Sequence, residues 1–242
     1  HPDYLRIAYD KGVTKVILPE FDRACETPQN HPHHCYSVGE HILHSLCFVE
    51  GDKVLRLAML LHDMGKPSVM TRDEEGKTHF HGHAAVSAEM AEKILRRLKF
   101  DNDTIRMVCR LVRYHDYGNG MDMDIRLARR AMSRIGEEAF PGLFAVKRAD
   151  ILAQSSYQRQ EKLDRLESWQ QHYREILESH QCISLKTLAV TGSDLIAMGW
   201  KPGRELGEAL NLLLEQVLED PARNTKEWLL AKAAEEGFPH KS

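Results

Sequence analysis

The sequence predicts an all-α protein: a helical bundle followed by a C-terminal helical appendage. Three observations predict it. Apolar residues recur at helical spacing along most of the chain, helix start and stop residues punctuate it, and only residues 68–80 read as a small hairpin or irregular loop. A length of 242 residues suits one large domain or a domain with an appendage, and the expected division is 1–35, 36–155 and 156–242.

Taken in order, residues 2–24 suggest two short helices broken at Gly12, with Pro28 closing the segment and a His-rich loop over 29–35. A helix over 37–49 opens on Ser37-Val38-Gly39-Glu40, a capping-box pattern, and buries Ile42, Leu43, Leu46 and Val49. The helix expected over 53–64 is apolar nearly all round, which implies burial, and Gly65 and Pro67 are expected to stop it. Helices follow over 82–99, 102–115, 124–135 and 137–154, then a long amphipathic one over 157–179. Residues 181–202 are mixed, and the last two helices span 203–219 and 224–236.

Composition excludes several classes. A net charge of −3 provides no global field for nucleic acid or membranes. No apolar run approaches the roughly 20 residues needed to span a bilayer. The five cysteines lack a C-x-x-C pair, which points to reduced thiols and a cytoplasmic location. There is no signal peptide and no initiating Met, so the chain reads as a candidate piece of something longer. Residues 96–148 carry a local excess of basic side chains. Arg126, Arg129, Arg130 and Arg134 share one helix face, either as a phosphate-tracking patch or as a solvated surface.

Histidine is the compositional anomaly. Ten of the 14 lie between His31 and His115. His62 and Asp63 close the buried helix, and burying such a pair is costly unless it is hydrogen-bonded or metal-bound. Other candidates occur once per helix near an inner end: His41, His83, His115 and Asp150. Helices of a bundle can project such groups into one interior site. The mixed imidazole and carboxylate set suits one or two divalent transition ions, Ni, Co, Mn, Fe or Zn. Two ions bridged by a carboxylate would activate a water and clamp a phosphate. Asp63 is the expected bridge, and Lys66 could meet the phosphate as a point charge. A buried His satisfied by hydrogen bonds is the simpler alternative.

These residues carry a family resemblance. His41, His62-Asp63 and Asp150 resemble the H…HD…D signature of HD-domain phosphohydrolases. Pro28-Gln29-Asn30-x-Pro32-x-His34-x-Tyr36, Leu60-Leu61-His62-Asp63-Met64-Gly65-Lys66-Pro67 and Thr78-His79-Phe80-x-Gly82-His83 resemble the HD region of bacterial CCA-adding tRNA nucleotidyltransferases. Leu111-Val112-Arg113-x-His115 and Val190-Thr191-Gly192-Ser193-Asp194-Leu195 extend it. The resemblance implies a primary metal held by His41, His62, Asp63 and Asp150, a second held with His83 and His115, and substrate phosphate met by His34, His79 and Lys66. The implied activity is phosphodiesterase or phosphatase action on a nucleotide or RNA-end phosphoester, such as a 2′,3′-cyclic phosphate. Asp63 and Lys66 are its catalytic candidates, and tRNA is a candidate partner. The polymerising head is missing: Asp122-Met123-Asp124 has no Gly-Ser before it and is expected to cap a helix. The alternative is a tRNA-binding body and tail whose metal site is structural or idle.

Overall fold

The structure, a computed structural model, describes residues 2–30, 32–33 and 35–235. In chain order the helices are α1 (Pro2–Asp10), α2 (Thr14–Ile17), α3 (Pro19–Cys25), α4 (Val38–Ser45), α5 (Lys53–Leu61) and α6 (Lys66–Val69). Strands β1 (Thr71–Arg72) and β2 (Thr78–His79) follow, paired antiparallel with Thr71 opposite His79. Then come α7 (His83–Arg97), α8 (Asn102–Tyr114), α9 (Ile125–Ile135), α10 (Phe140–Ala153) and α11 (Arg159–Glu178). The last three are α12 (Gly192–Ala197), α13 (Arg204–Glu219) and α14 (Lys226–Glu235). The protein is thus all-α with one minimal hairpin, as the periodicity predicts. No described helix is long and apolar enough to cross a membrane.

Side-chain caps start these helices where the sequence places Ser, Asp or Thr. Ser37 accepts from the Glu40 amide, Asp52 from Leu55, Asp101 from Thr104 and Asp124 from Leu127. The expected Asp122-Met123-Asp124 cap is therefore Asp124. At Ser37 only half of the capping box forms, because the Glu40 carboxylate pairs with Arg6 instead, at 2.7 Å. The complete box lies at Thr191 and Asp194, opening α12 within the stretch read as mixed.

The chain divides into two compact units. The first comprises residues 1–122 and 138–167, the second 123–137 and 168–242. In the first, α7 packs on α8, α5 packs on α8, and α10 lies against α4 and α5. Phe21, Ile42, Met59, Leu61, Leu95 and Leu143 are buried between them. In the second, α13 packs against α9, α12 and α14 around Trp169, Leu195, Val217 and Leu229. The unit boundary differs from the expected break at 155–156, since α9 groups with the C-terminal residues. The reason is local: buried Arg129 donates to the Leu218 and Glu219 carbonyls at 2.7 and 3.1 Å, covering carbonyls that the end of α13 leaves open.

Two expectations about α5 are corrected. The helix ends at Leu61, not at residue 64, and Gly65 does not stop it through a left-handed turn, because its φ is −81°. Gly65 is small because α7 passes against it: a Cβ would lie 2.6 Å from the Ser87 nitrogen and 2.8 Å from the His83 carbonyl. Its amide also donates to Ser87 Oγ at 2.9 Å. Nor is α5 buried all round. Val54 and Leu55 face a groove of about 580 Å³ that Phe48, Met107 and Leu111 also line.

Candidate metal centre

The candidate ligands lie in the first unit, all but His41 near a helix end. His41 lies in α4 and Asp150 in the last turn of α10. His62 and His115 are the residues immediately after α5 and α8. His83 opens α7 after Gly82, whose φ of +75° is a left-handed turn that glycine adopts without steric cost. His41, His62, Asp63, His115 and Asp150 are buried, and His83 is partly so.

Helix ends explain the ring orientations. The last carbonyls of a helix lack intrahelical donors. The Nδ1–H of His62 donates to Met59 at 2.7 Å, and that of His115 donates to Val112 at 2.7 Å. His83 makes the same i−3 contact to Phe80 at 2.9 Å. With Nδ1 occupied, Nε2 of each ring points inward, the orientation that outer hydrogen bonds impose on metal-binding histidines.

Two groups of inward atoms result, and they share Asp63. In the first, His41 Nε2 is 3.3 Å from His62 Nε2, 2.8 Å from Asp150 Oδ1 and 3.6 Å from Asp63 Oδ2. His62 Nε2 is 3.2 Å from Asp63 Oδ2. In the second, His83 Nε2 is 3.2 Å from His115 Nε2 and 3.3 Å from Asp63 Oδ1, while His115 Nε2 is 3.7 Å from that oxygen. Ligands bonded to one ion at about 2.0–2.2 Å stand about 3.0–3.5 Å from each other. In their neutral forms His83 and His115 aim two lone pairs at each other, and a cation between them relieves that repulsion. The sets His41–His62–Asp150 and His62–Asp63–His115 therefore could hold a metal, and the donor set fits a transition ion.

The electrostatics agree. Burial works against charge on Asp63, yet His62 and Lys66 hold its carboxyl well below the usual range. Burial also opposes ionisation of Asp150, and His41 overcomes it. Burial opposes protonation of His62, but Asp63 outweighs it and the imidazole pKa rises. His115 goes the other way, pushed down to about 4 by burial and by His62 and His83. Two buried carboxylates thus draw positive charge to this point, as a proton or as a cation.

The centre opens to a cleft of about 320 Å³ lined by Asp63, His83, His115 and Asp150. Lys66, His79 and His33 line it too. Lys66 is more enclosed than the sequence suggests. Its Nζ lies 2.7 Å from Asp63 Oδ2, donates to Gln29 Oε1 at 2.9 Å, and sits 5.3 Å from the Phe80 ring centre. His79 is held by Asp73 at 2.8 Å and stacks on His81. His44 stacks on Tyr36, away from the ligand set, as a packed helix His should. His34 lies outside the described residues.

Three side chains around the centre escaped the sequence reading. Gln29 holds Lys66. Gln154 donates to Asp150 Oδ2 at 3.0 Å. Lys147, fully buried, donates to the His115 and Tyr117 carbonyls and to Asn119 Oδ1 at 2.8–3.0 Å. Gln29 stands in a motif that carries the resemblance, and Gln154 has the i, i+4 spacing from Asp150.

Fold and site together define an all-α protein whose helix ends converge on a His/Asp centre able to hold metal. Sequence comparison makes the assignment more specific. The tRNA nucleotidyltransferase domain 2 family matches residues 70–233, and the chain belongs to that family. It is 31% identical over 210 residues to the A-adding tRNA nucleotidyltransferase of Deinococcus radiodurans, covering 84% of this chain and 48% of the relative. It is 32% identical over 226 residues to the CC-adding enzyme of Thermus thermophilus, covering 89% and 48%. A multifunctional CCA protein of Azoarcus sp. is 33% identical over 125 residues, covering 46% and 27%. The chain spans about half the length of the first two relatives.

Proposed function

We propose that this chain acts as the tRNA-contacting body and tail of a tRNA nucleotidyltransferase. The family match over residues 70–233 carries the reading, because it spans both compact units and joins them to relatives named for work on tRNA. Contact with phosphates would fall to basic side chains without acidic partners, so binding should weaken steeply with salt. The test is a filter-binding titration of tRNA with chelator present. Saturable binding at low salt supports the reading, and indifference to tRNA at every salt concentration removes it.

A second reading has its own support: the paired His83 and His115 nitrogens at 3.2 Å, beside a cleft that reaches the centre. On this reading the chain also hydrolyses a nucleotide or RNA-end phosphoester. His41, His62, Asp63 and Asp150 would hold one divalent ion, and Asp63, His83 and His115 a second. Bound there, such ions supply positive charge to phosphate oxygens and acidify a water. Asp63 offers one oxygen to each group, while Lys66 fixes that carboxylate and keeps a positive charge at the cleft wall. His79, steadied by Asp73, and His34 would orient the phosphoester. Turnover of a 2′,3′-cyclic nucleotide with Ni, Co or Mn, lost on chelation, is the expected result. A metal-loaded chain inert on every phosphoester would leave only the first reading.

A further inference from the structure

Gln154 ends α10 four residues beyond Asp150, and its amide joins two parts of the first unit. Nε2 donates to Asp150 Oδ2 at 3.0 Å, while Asp150 Oδ1 faces His41 at 2.8 Å. On its other side, Gln154 Oε1 accepts from Lys162 Nζ at 2.7 Å. An ammonium only donates, so flipping the amide would set its NH2 against Lys162 and leave Asp150 facing an oxygen. Lys162 also donates to His33 Nδ1 at 2.9 Å, which fixes the ammonium in turn. The terminal torsion of an Asp is otherwise broad, with two roughly equivalent orientations.

We propose that Gln154 is a positioning residue for the metal ligand Asp150, and that Lys162 sets the direction of its amide. The proposal rests on the metal reading above. It assigns the order Lys162 to Gln154 to Asp150 to the centre, in which each donor fixes the next acceptor. The amide is separable from the local fold. Backbone ties hold the same turn without it: Arg159 donates to the Gln154 carbonyl at 2.6 Å, and the Ser155 amide donates to the His33 carbonyl at 3.0 Å.

The test is a Co2+ titration of the 242-residue chain, with affinity from chelator competition and geometry from visible absorption. Gln154→Leu should bind Co2+ about 10- to 100-fold more weakly, the usual cost of removing an outer hydrogen bond to a ligand. Its absorption bands should shift, and the melting temperature of the metal-free protein should hold. Lys162→Met should lose less affinity in the same direction, since the amide then flips only part of the time. It carries the test alone if Gln154→Leu does not fold. Wild-type affinity and spectrum in both variants would overturn the proposal, as would a lowered melting temperature with unchanged affinity. A wild-type chain that binds no Co2+ would instead remove the metal reading, and this inference with it.

Discussion

Two charge-rich clusters lie in the two units, and they differ in how completely they satisfy themselves. In the second unit three arginines of the α9 face, Arg126, Arg129 and Arg130, are satisfied by their own partners, while Arg134 is exposed. Arg129 donates to two carbonyls of α13 and to Gln181, and Arg126 and Arg130 pair with Glu219. In the first unit the His/Asp cluster does not close. Imidazole nitrogens approach one another at 3.2–3.3 Å around two buried carboxylates. Like groups brought together at a cost need something from outside, whereas opposite groups brought together need nothing. By that criterion the His/Asp cluster is the candidate site for an outside ligand, and Arg129 holds α9 to α13.

The largest expected effect breaks the first cluster. Asp63→Ala removes the carboxylate common to both groups. Divalent-metal affinity should fall by more than about 100-fold, beyond what outer-shell changes cost. Any phosphoesterase activity should go with it. The metal-free protein should also lose about 3–5 kcal/mol of stability, as urea denaturation would record, because the buried Lys66 ammonium loses its carboxylate.

A substitution in the second cluster should do the reverse. Arg129→Ala leaves two carbonyls and Gln181 without their donor and should destabilise the protein by about 2–3 kcal/mol. Metal content should not change, and tRNA affinity measured well below the melting temperature should stay the same. A stable Arg129→Ala that loses tRNA binding would show the arginine face to be an RNA contact after all. Arg126→Ala should leave denaturation midpoints unmoved, because its pairs are solvent-exposed.

Lys147 sharpens the comparison, since it is a closed network beside the open one. Lys147→Met should destabilise by about 1–3 kcal/mol, because three acceptors lose one donor. Burial pushes the Lys147 ammonium from 10.5 down to about 8. Between those values the unfolded chain binds a proton that the folded chain does not, so folding stability gains with rising pH there. Urea denaturation at pH 8 and pH 10 should therefore show the gap between wild type and Lys147→Met widening at the higher pH.

Much of the centre was legible because its candidate ligands interrupt apolar helices one at a time. His62, Asp63, His115 and Asp150 each stand near the inner end of a helix whose neighbours are core, while His41 lies midway along α4. Periodicity locates such ends within a turn. The resemblance to the CCA-adding family drew the same residues together, and the family match over residues 70–233 bears out the tRNA nucleotidyltransferase kinship. What stayed hidden depends on tertiary approach. The purpose of Gly65 was invisible because α7, which it must let pass, lies some twenty residues on. Glu40 fits a capping box locally, and only the fold brings Arg6 to it. The six-residue α12 is too short for periodicity to reveal. Gln154 could be paired with Asp150 by spacing, but its direction needs Lys162, which the sequence does not place. The arginine face looked like a phosphate track because its acidic partners come from α13, far along the chain.

The central claim is that the helix ends form two overlapping half-sites joined by Asp63. Metal stoichiometry tests it most directly. The chain and its His83→Ala variant would be equilibrated with Mn2+ or Co2+, dialysed, and analysed for metal per chain. The account predicts two ions in the wild type and one in His83→Ala, with the remaining ion lost on His41→Ala. A wild type that retains no ion, or a His83→Ala that retains as many as the wild type, would contradict it.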